Sequence, residues 1–301
     1  MPEKIIVIGS SNTDMVVKSD KLPLPGETIL GGQFYMFPGG KGANQAVAAA
    51  RLGGEVVFIA RTGNDVFGKQ AIEQFAREGI DTSCIHIDAG HPSGVALILV
   101  DAKGENVIAV APGANAQLTE RDIDTAQVLI SKAEVILLQL EIPISTVTYA
   151  IHQMQKLGKK VIINPAPAQA LPEEVFRDLY LITPNETEAE ILTGIQVTDE
   201  ASAAKAAQAL QEKGVSQVVI TMGSKGAFVY NGATSRLIAA PKVEPVDTTA
   251  AGDVFNGALA VALANEQPLI AAVEFACRAA AISVTRMGAQ ASAPYLHEMK
   301  N

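Results

Sequence analysis

KIIVIG, Lys4 to Gly9, places four consecutive β-branched residues after a lysine, closes with a glycine, and leads into Ser10-Ser11-Asn12. A short apolar run bounded in this way reads as a strand buried on both faces, as in parallel sheets. Similar runs recur at Glu55–Arg61, Glu134–Leu140, Lys160–Asn164, Tyr180–Thr183 and Gln217–Thr221. Helical patterns fall between many of them, at Gly42–Leu52, Phe67–Glu78, Thr119–Lys132, Ser145–Leu157 and Glu186–Leu192. The alternation predicts a layered α/β fold with helices on both faces of the sheet. In such folds ligands gather beyond the carboxyl ends of the strands. Polar residues stand there in this chain: Asn12 and Asp14, Glu141, Asn164, Asn185 and Glu188, and Thr221.

Two segments break the alternation. Asp14 to Pro38 carries Pro23, Pro25, Gly26 and Gly31-Gly32 amid short runs such as Thr28–Leu30 and Phe34–Met36. Ser93 to Ala111 reads as two strands, Val95–Val100 and Asn106–Val110, joined by the turn Asp101–Gly104. Neither offers a crossover helix. Both are expected to supply antiparallel strands to a small β-sheet lid, built from about 14–38 and 93–111, with paired surface hairpins as the plainer alternative. No repeat or linker is visible, so residues 1–301 are expected to form a single domain.

With 301 residues, 48% of them hydrophobic, the chain can bury a large core. A net charge of −9 argues against nucleic-acid or anionic-membrane partners. It does not exclude a phosphate ligand, which a few local donors can bind. Cys84 and Cys277 cannot form a disulfide framework, and the four histidines make no metal motif. The four apolar residues before Gly9 are too few for a signal-peptide core, and no run approaches membrane-spanning length. The expectation is a soluble cytoplasmic protein.

Asp247-Thr-Thr-Ala-Ala-Gly-Asp253-Val-Phe-Asn-Gly-Ala258 opens into an apolar helix, with Phe255, Ala258, Leu259, Ala262 and Leu263 on one face. The small Ala250, Ala251 and Gly252 leave uncovered N–H groups at its positive end, which suits a phosphate. Asp253 would then be a base beside an anion site, taking a proton from an attacking hydroxyl. A small-residue helix start whose Asp complements the dipole explains the same letters. Phe37-Pro-Gly-Gly-Lys-Gly-Ala-Asn44 is a second glycine-rich stretch, and it matches neither a Walker A loop nor a dinucleotide fingerprint. Its glycines allow close backbone approach, and Lys41 and Asn44 donate. With Asn12 and Asp14 this makes a hydroxyl-binding set; a helix-capping turn is the alternative. Thr221–Gly226 reads as a hairpin turn. Asn185–Glu188 opens a helix after Thr183-Pro184, where Glu188 would hold a water of hydrated Mg²⁺ or simply complement the dipole.

Laid out in order, these motifs resemble the ribokinase group of the carbohydrate kinase family, which also includes adenosine and fructose kinases. The resemblance runs nearly the full length. It is most specific at GGKGANQAVAAARLG (39–53) and DTTAAGDVFNGA (247–258), with support from TPNETE (183–188), TMGSKGA (221–227) and VTRMGAQAS (284–292). It implies a central, mostly parallel sheet and a lid that pairs with the lid of a second subunit in a homodimer. It implies ATP-dependent phosphorylation of a sugar 5-hydroxyl, ribose being the expected pentose, with Asp253 as base and Ala250, Ala251 and Gly252 as anion hole. Asn12, Asp14, Gly40, Lys41, Asn44 and Glu141 would hold the sugar. Asn185, Thr221, Gly223, Ser224, Gly226, Gly252 and Cys277 would hold the nucleotide, with Mg²⁺ near Glu188. Asp247, Thr249, Ser283, Arg286, Gly288 and Ser292 resemble the family's monovalent-cation loop, for which K⁺ is expected. One departure stands out: close members commonly carry Asn where this chain has Cys277, and a thiol is a weak hydrogen-bonding group.

Other activities compatible with the sequence are phosphorylation of 2-deoxyribose, fructose or a nucleoside by the same machinery. Asn12 and Asp14 favour a hydroxyl-rich sugar, and the lid's aromatics are confined to Phe34, Tyr35 and Phe37. A sugar-binding receptor or a non-catalytic sugar sensor is the alternative of another class, and the retained Asp253 argues against both.

Overall fold

The computed structural model describes residues 4–300. In chain order the first part contains β1 (Lys4–Ile8), β2 (Asn12–Lys18), β3 (Gln33–Gly39), α1 (Lys41–Arg51), β4 (Glu55–Gly63), α2 (Val66–Arg77) and β5 (Ile85–Asp88). Then come β6 (Gly94–Val100), β7 (Asn106–Ala111), α3 (Glu120–Thr125), α4 (Gln127–Ser131), β8 (Ala133–Leu138), α5 (Ile144–Lys156) and β9 (Lys160–Ile163). The last part contains β10 (Leu181–Ile182), α6 (Glu186–Thr193), α7 (Glu200–Glu212), β11 (Gln217–Thr221), β12 (Ala227–Tyr230), β13 (Ser235–Ile238), α8 (Ala251–Ala264) and α9 (Leu269–Ser283).

Nine strands among the described residues form one sheet, in the order β13-β12-β11-β10-β9-β8-β1-β4-β5. It is parallel from β11 to β5, and β12 and β13 add antiparallel strands at one edge. The β-branched β1 lies in its interior, between β8 and β4, and its side chains alternate between faces because the strand period is two. Ile5 and Val7 join one core with α1, α8 and α9; Ile6 and Ile8 join the other with α5, α6 and α7. Strand order reverses at β1, whose neighbours are β4 on one side and β8 on the other. Such a switch point leaves a crevice at the carboxyl ends, where the loops after β1 and β8 diverge.

The remaining four strands form a separate sheet, β3-β2-β6-β7. This is the small sheet expected from the two irregular segments, with two corrections. Its central pair, β2 and β6, is parallel, because both strands leave the crevice side by side, with Asn12 opposite Gly94. Thr28–Leu30 forms no strand: the pairing of Lys18 with Gln33 leaves 19–32 as a loop, and Leu30 is almost wholly exposed. Phe34, Met36, Leu97 and Val107 are exposed and share one face of this sheet by register, opposite the face that carries Asp14. The helix expected over Thr119–Lys132 is two short ones, α3 and α4, meeting at Ala126. The Thr125 hydroxyl donates to the Asp122 carbonyl (2.8 Å), a side-chain-to-backbone bond that competes with helical continuation.

Candidate active site

The glycine-rich turn after β3 packs directly on the chain leaving β1. Gly40 has φ of 87°, and a Cβ there would lie 2.7 Å from the Asn12 amide nitrogen. At Gly42 it would lie 2.5 Å from the Ser10 nitrogen. Both approaches demand glycine. They place the first turn of α1 against Ser10–Asn12, and Glu141 locks it there. The Glu141 carboxylate accepts from the Ser10 hydroxyl (2.5 Å) and from the Lys41 amide (2.9 Å). Asn12 and Asp14 come from β2 of the small sheet, on the same face of the strand. Asn12, Asp14, Gly40, Lys41, Asn44 and Glu141 are therefore gathered at one place, as expected.

This pocket concentrates carboxylates. Asp14 is pushed up to about 6, by burial first and then by Glu141 and Asp253. Burial works against the charge on Lys41, but Asp253, Glu141, Glu188 and Asp14 together raise its pKa. A cation held among four acids is a natural partner for an anionic group arriving between them.

Asp253 stands in the first turn of α8, 6% exposed. Its Oδ2 accepts from Asn44 Nδ2 (2.9 Å) and its Oδ1 from Gln45 Nε2 (2.9 Å). Burial raises its pKa, while Lys41 and the two amides act the other way. Asn44 Oδ1 is buried and unpartnered, as an acceptor awaiting a hydroxyl would be. The helix has no side-chain cap. Its N-cap Ala250 adopts φ 59°, a left-handed conformation that costs a non-glycine residue about 1 kcal/mol. One expectation is modified here: the Ala251 amide donates to the Thr248 carbonyl (3.2 Å), so it is engaged within the turn. Among the described residues no backbone acceptor takes the amides of Ala250, Gly252 and Asp253.

A cleft of about 770 Å³ opens at Asp253. Lys41 and Asp253 line it together with Asn185, Glu188, Thr221, Gly223, Ser224, Gly226, Gly252 and Cys277. All the expected nucleotide residues thus share one cavity, although Thr221–Gly226 is also the β11–β12 hairpin turn. The structure bears on the helix-start reading of Glu188. Its carboxylate accepts from the Asn185 amide (2.9 Å) in a capping box with the Asn185 side chain, and it also lines the cleft. Burial pushes the Cys277 thiol up to about 11, so it stays neutral.

The expected cation loop is drawn together by Asp247. Its Oδ1 accepts from the Thr249 hydroxyl (2.6 Å) and amide (2.9 Å), and its Oδ2 from the Gly288 amide (2.8 Å). Partial burial favours the neutral acid, but these donors hold its pKa below the usual value. The Val284 carbonyl, next to Ser283, accepts from the Asp247 amide (3.1 Å). The hydroxyls of Ser283 and Ser292 donate to the Ala280 and Ala289 carbonyls. The Arg286 side chain pairs with Glu298, so only the backbone carbonyl of Arg286 could serve a cation.

Four polar residues of the site have no counterpart in the sequence reading. Ser10, Gln45, Gln139 and Asn115 are all buried. Asn115 Nδ2 donates to Asn12 Oδ1 (2.8 Å) and to the Ser11 carbonyl (3.1 Å), while its Oδ1 accepts from the Ser11 amide (2.9 Å). Asn12 therefore turns its own NH₂ away from Asn115. Neutral polar side chains carry no charge or spacing signal; the one hint is that Gln45 follows Asn44 inside a helical pattern otherwise rich in alanine.

A family model described as pfkB family carbohydrate kinase matches residues 2–296. A ribokinase of Haemophilus influenzae is 47% identical over 298 residues, covering 99% of this chain and 97% of that protein. A deoxyribokinase of Salmonella typhi is 38% identical, covering 98% and 96%. The structure of Arabidopsis thaliana ribokinase complexed with ribose and ATP superposes with a TM-score of 0.92 at 30% identity, covering 99% of this chain and 98% of that one.

Proposed function

Because the chain belongs to the pfkB family of carbohydrate kinases, we propose that it transfers the γ-phosphoryl group of ATP to the 5-hydroxyl of D-ribose, giving ribose 5-phosphate and ADP. The observation that carries this reading is the position of Asp253. It lines a nucleotide-sized cleft and is held by Asn44 of the expected hydroxyl-binding set, at a helix start with free amides.

In this reading Asn12, Asp14, Asn44 and Glu141 hold the sugar, and Gly40 lets the backbone approach it. Lys41 lies where it can meet the transferred phosphoryl group. As the new O–P bond forms, the bond from phosphorus to the ADP oxygen breaks, and the hydroxyl proton passes to Asp253. A carboxylate is far too weak a base to make an alkoxide beforehand, so the proton moves late. The free amides at the α8 start stabilise the charge that develops on the phosphoryl oxygens. Closure of the lid would exclude water as a competing acceptor.

When bound with ATP, Mg²⁺ would neutralise charge on the phosphates. Glu188 offers it one carboxylate, which suits an ion that keeps most of its waters. K⁺ fits the oxygens around Asp247 and Thr249, and there it would order the loop leading into the free amides. The exposed apolar lid face of Phe34, Met36, Leu97 and Val107 is assigned to a second copy of the chain, making a homodimer. A reaction that consumes ATP supports a cytoplasmic location.

The second reading, 2-deoxyribose as substrate, is favoured by the likeness to the Salmonella typhi protein. Coupled ADP release over ribose, 2-deoxyribose, fructose and adenosine decides between them. Ribose should give the highest kcat/KM. A higher value for 2-deoxyribose would move the assignment, and no turnover with any of the four would end it.

A further inference from the structure

Gln45 is fully buried, one residue beyond Asn44 on α1, and its amide has a fixed orientation. Its Oε1 accepts from Gln139 Nε2 (2.6 Å), while its Nε2 donates to Asp253 Oδ1 (2.9 Å) and Asn164 Oδ1 (3.0 Å). Gln139 follows β8, is equally buried, and is wedged against Gly9, where any side chain would overlap it. Among the described residues the side-chain oxygen of Gln139 has no partner, so its one side-chain hydrogen bond there is the one that orients Gln45. A glutamine amide can face either way. With Gln139 donating to its oxygen, only the NH₂ end can face Asp253.

We propose that Gln139 and Gln45 form a two-amide chain that positions Asp253, holding its carboxylate ionised and in register with the substrate hydroxyl. The proposal rests on the reading of Asp253 as the base. Gln45 is a positioning residue here: it acts on Asp253 and not on the sugar. Asn44 grips the other carboxylate oxygen from the same helix. Each oxygen therefore accepts one amide and keeps a lone pair for the substrate.

The charged surroundings make this support necessary. Lys41 on α1 favours the charge on Asp253. Burial opposes it, as do Glu141 after β8, Asp14 on β2 and Glu188 on α6. Loss of an amide donor to the ionised form therefore moves Asp253 further up, and the acid limb of the rate profile moves with it.

The test is the pH dependence of kcat for ribose at saturating Mg-ATP, with ribose binding measured separately. Gln45→Met should raise the acid limb by about one unit and lower the plateau about tenfold. Gln139→Met should shift the limb in the same direction by less, because Gln45 would keep its donor but lose its orientation. Ribose affinity should stay within about threefold of wild type in both. If the limbs of both variants lie within about 0.3 units of wild type, the amide chain is only packing and the proposal falls. Should Gln45→Met not fold, Gln45→Glu replaces it. That variant still accepts from Gln139 but puts a second carboxyl beside Asp253, so its limb must also rise, and an unmoved limb overturns the proposal. Asp253→Asn separates the two ideas. Turnover retained there removes the base, whereas an inactive Asp253→Asn beside an unshifted Gln45→Met removes only the role of Gln45.

Discussion

Asp253→Asn removes the proton acceptor while leaving the shape around it. The replacement turns one carboxylate oxygen into an NH₂, which must face either Gln45 or Asn44. Gln45 cannot adapt, because Gln139 holds its oxygen. Asn44 can: its Oδ1 is unpartnered, so a flipped amide accepts from the new NH₂. The oxygen that remains on the substituted side chain then keeps the bond from Gln45. Two charge-assisted bonds become neutral ones, a loss of about 1 kcal/mol each. The buried charge also disappears, and its desolvation had opposed ionisation. The sign is set by a folded pKa above the ordinary value. The ionised group weakens the fold above that pKa, so neutralising it restores stability at neutral pH. The opposing terms leave the melting temperature within about 5 °C of wild type. Turnover should fall about 10²- to 10⁴-fold, roughly 2.7–5.5 kcal/mol of barrier, with ribose binding largely retained. The assays are coupled ADP release, calorimetry with ribose and thermal melting. A folded variant keeping more than about a tenth of wild-type turnover would refute Asp253 as the base.

Asn115→Asp puts an acceptor opposite Asn12 Oδ1, so the Asn12 amide must turn over; KM for ribose should rise about tenfold with kcat nearly unchanged, as steady-state kinetics would report. Asp14 is pushed up to about 6, and in the proposed reading it holds sugar hydroxyls best as the carboxylate, because the neutral acid turns one acceptor oxygen into a donor. Ribose affinity measured by calorimetry should therefore be full above that pH and decline as pH falls through it; a flat profile between pH 5 and 7 would contradict this role of Asp14. Replacing K⁺ with a bulky organic cation at constant ionic strength should lower turnover, and Asp247→Ala should abolish that response. Activity indifferent to K⁺ in metal-free protein would leave the Asp247 loop a purely structural tie.

The sequence by itself determined the frame. Runs such as Ile5–Ile8 and Val218–Ile220 bury both faces of a strand, so burial and strand assignment are the same fact, readable locally. Turn residues likewise announced the β6–β7 hairpin, where the Gly104 amide returns to the Asp101 carbonyl (3.0 Å). Local pattern went unread at α9, which is apolar nearly all round and so shows little amphipathic period, and at α7, whose alanines give a weak one. It misled at Thr28–Leu30, where three strand-forming residues have no neighbouring strand to pair with. Tertiary structure alone decided how the site is held. Asn44 and Gln45 meet Asp253 across more than two hundred residues, and Asn115 reaches Asn12 across about a hundred. The residues doing that holding are mostly neutral amides. Their work depends on which end faces which neighbour, and a sequence states the residue but not its orientation. The same limit applies to the parallel β2–β6 pair: Val95–Val100 read correctly as a strand, but its partner over Asn12–Lys18 was not singled out, and their shared direction is fixed only where the chain leaves the crevice side by side.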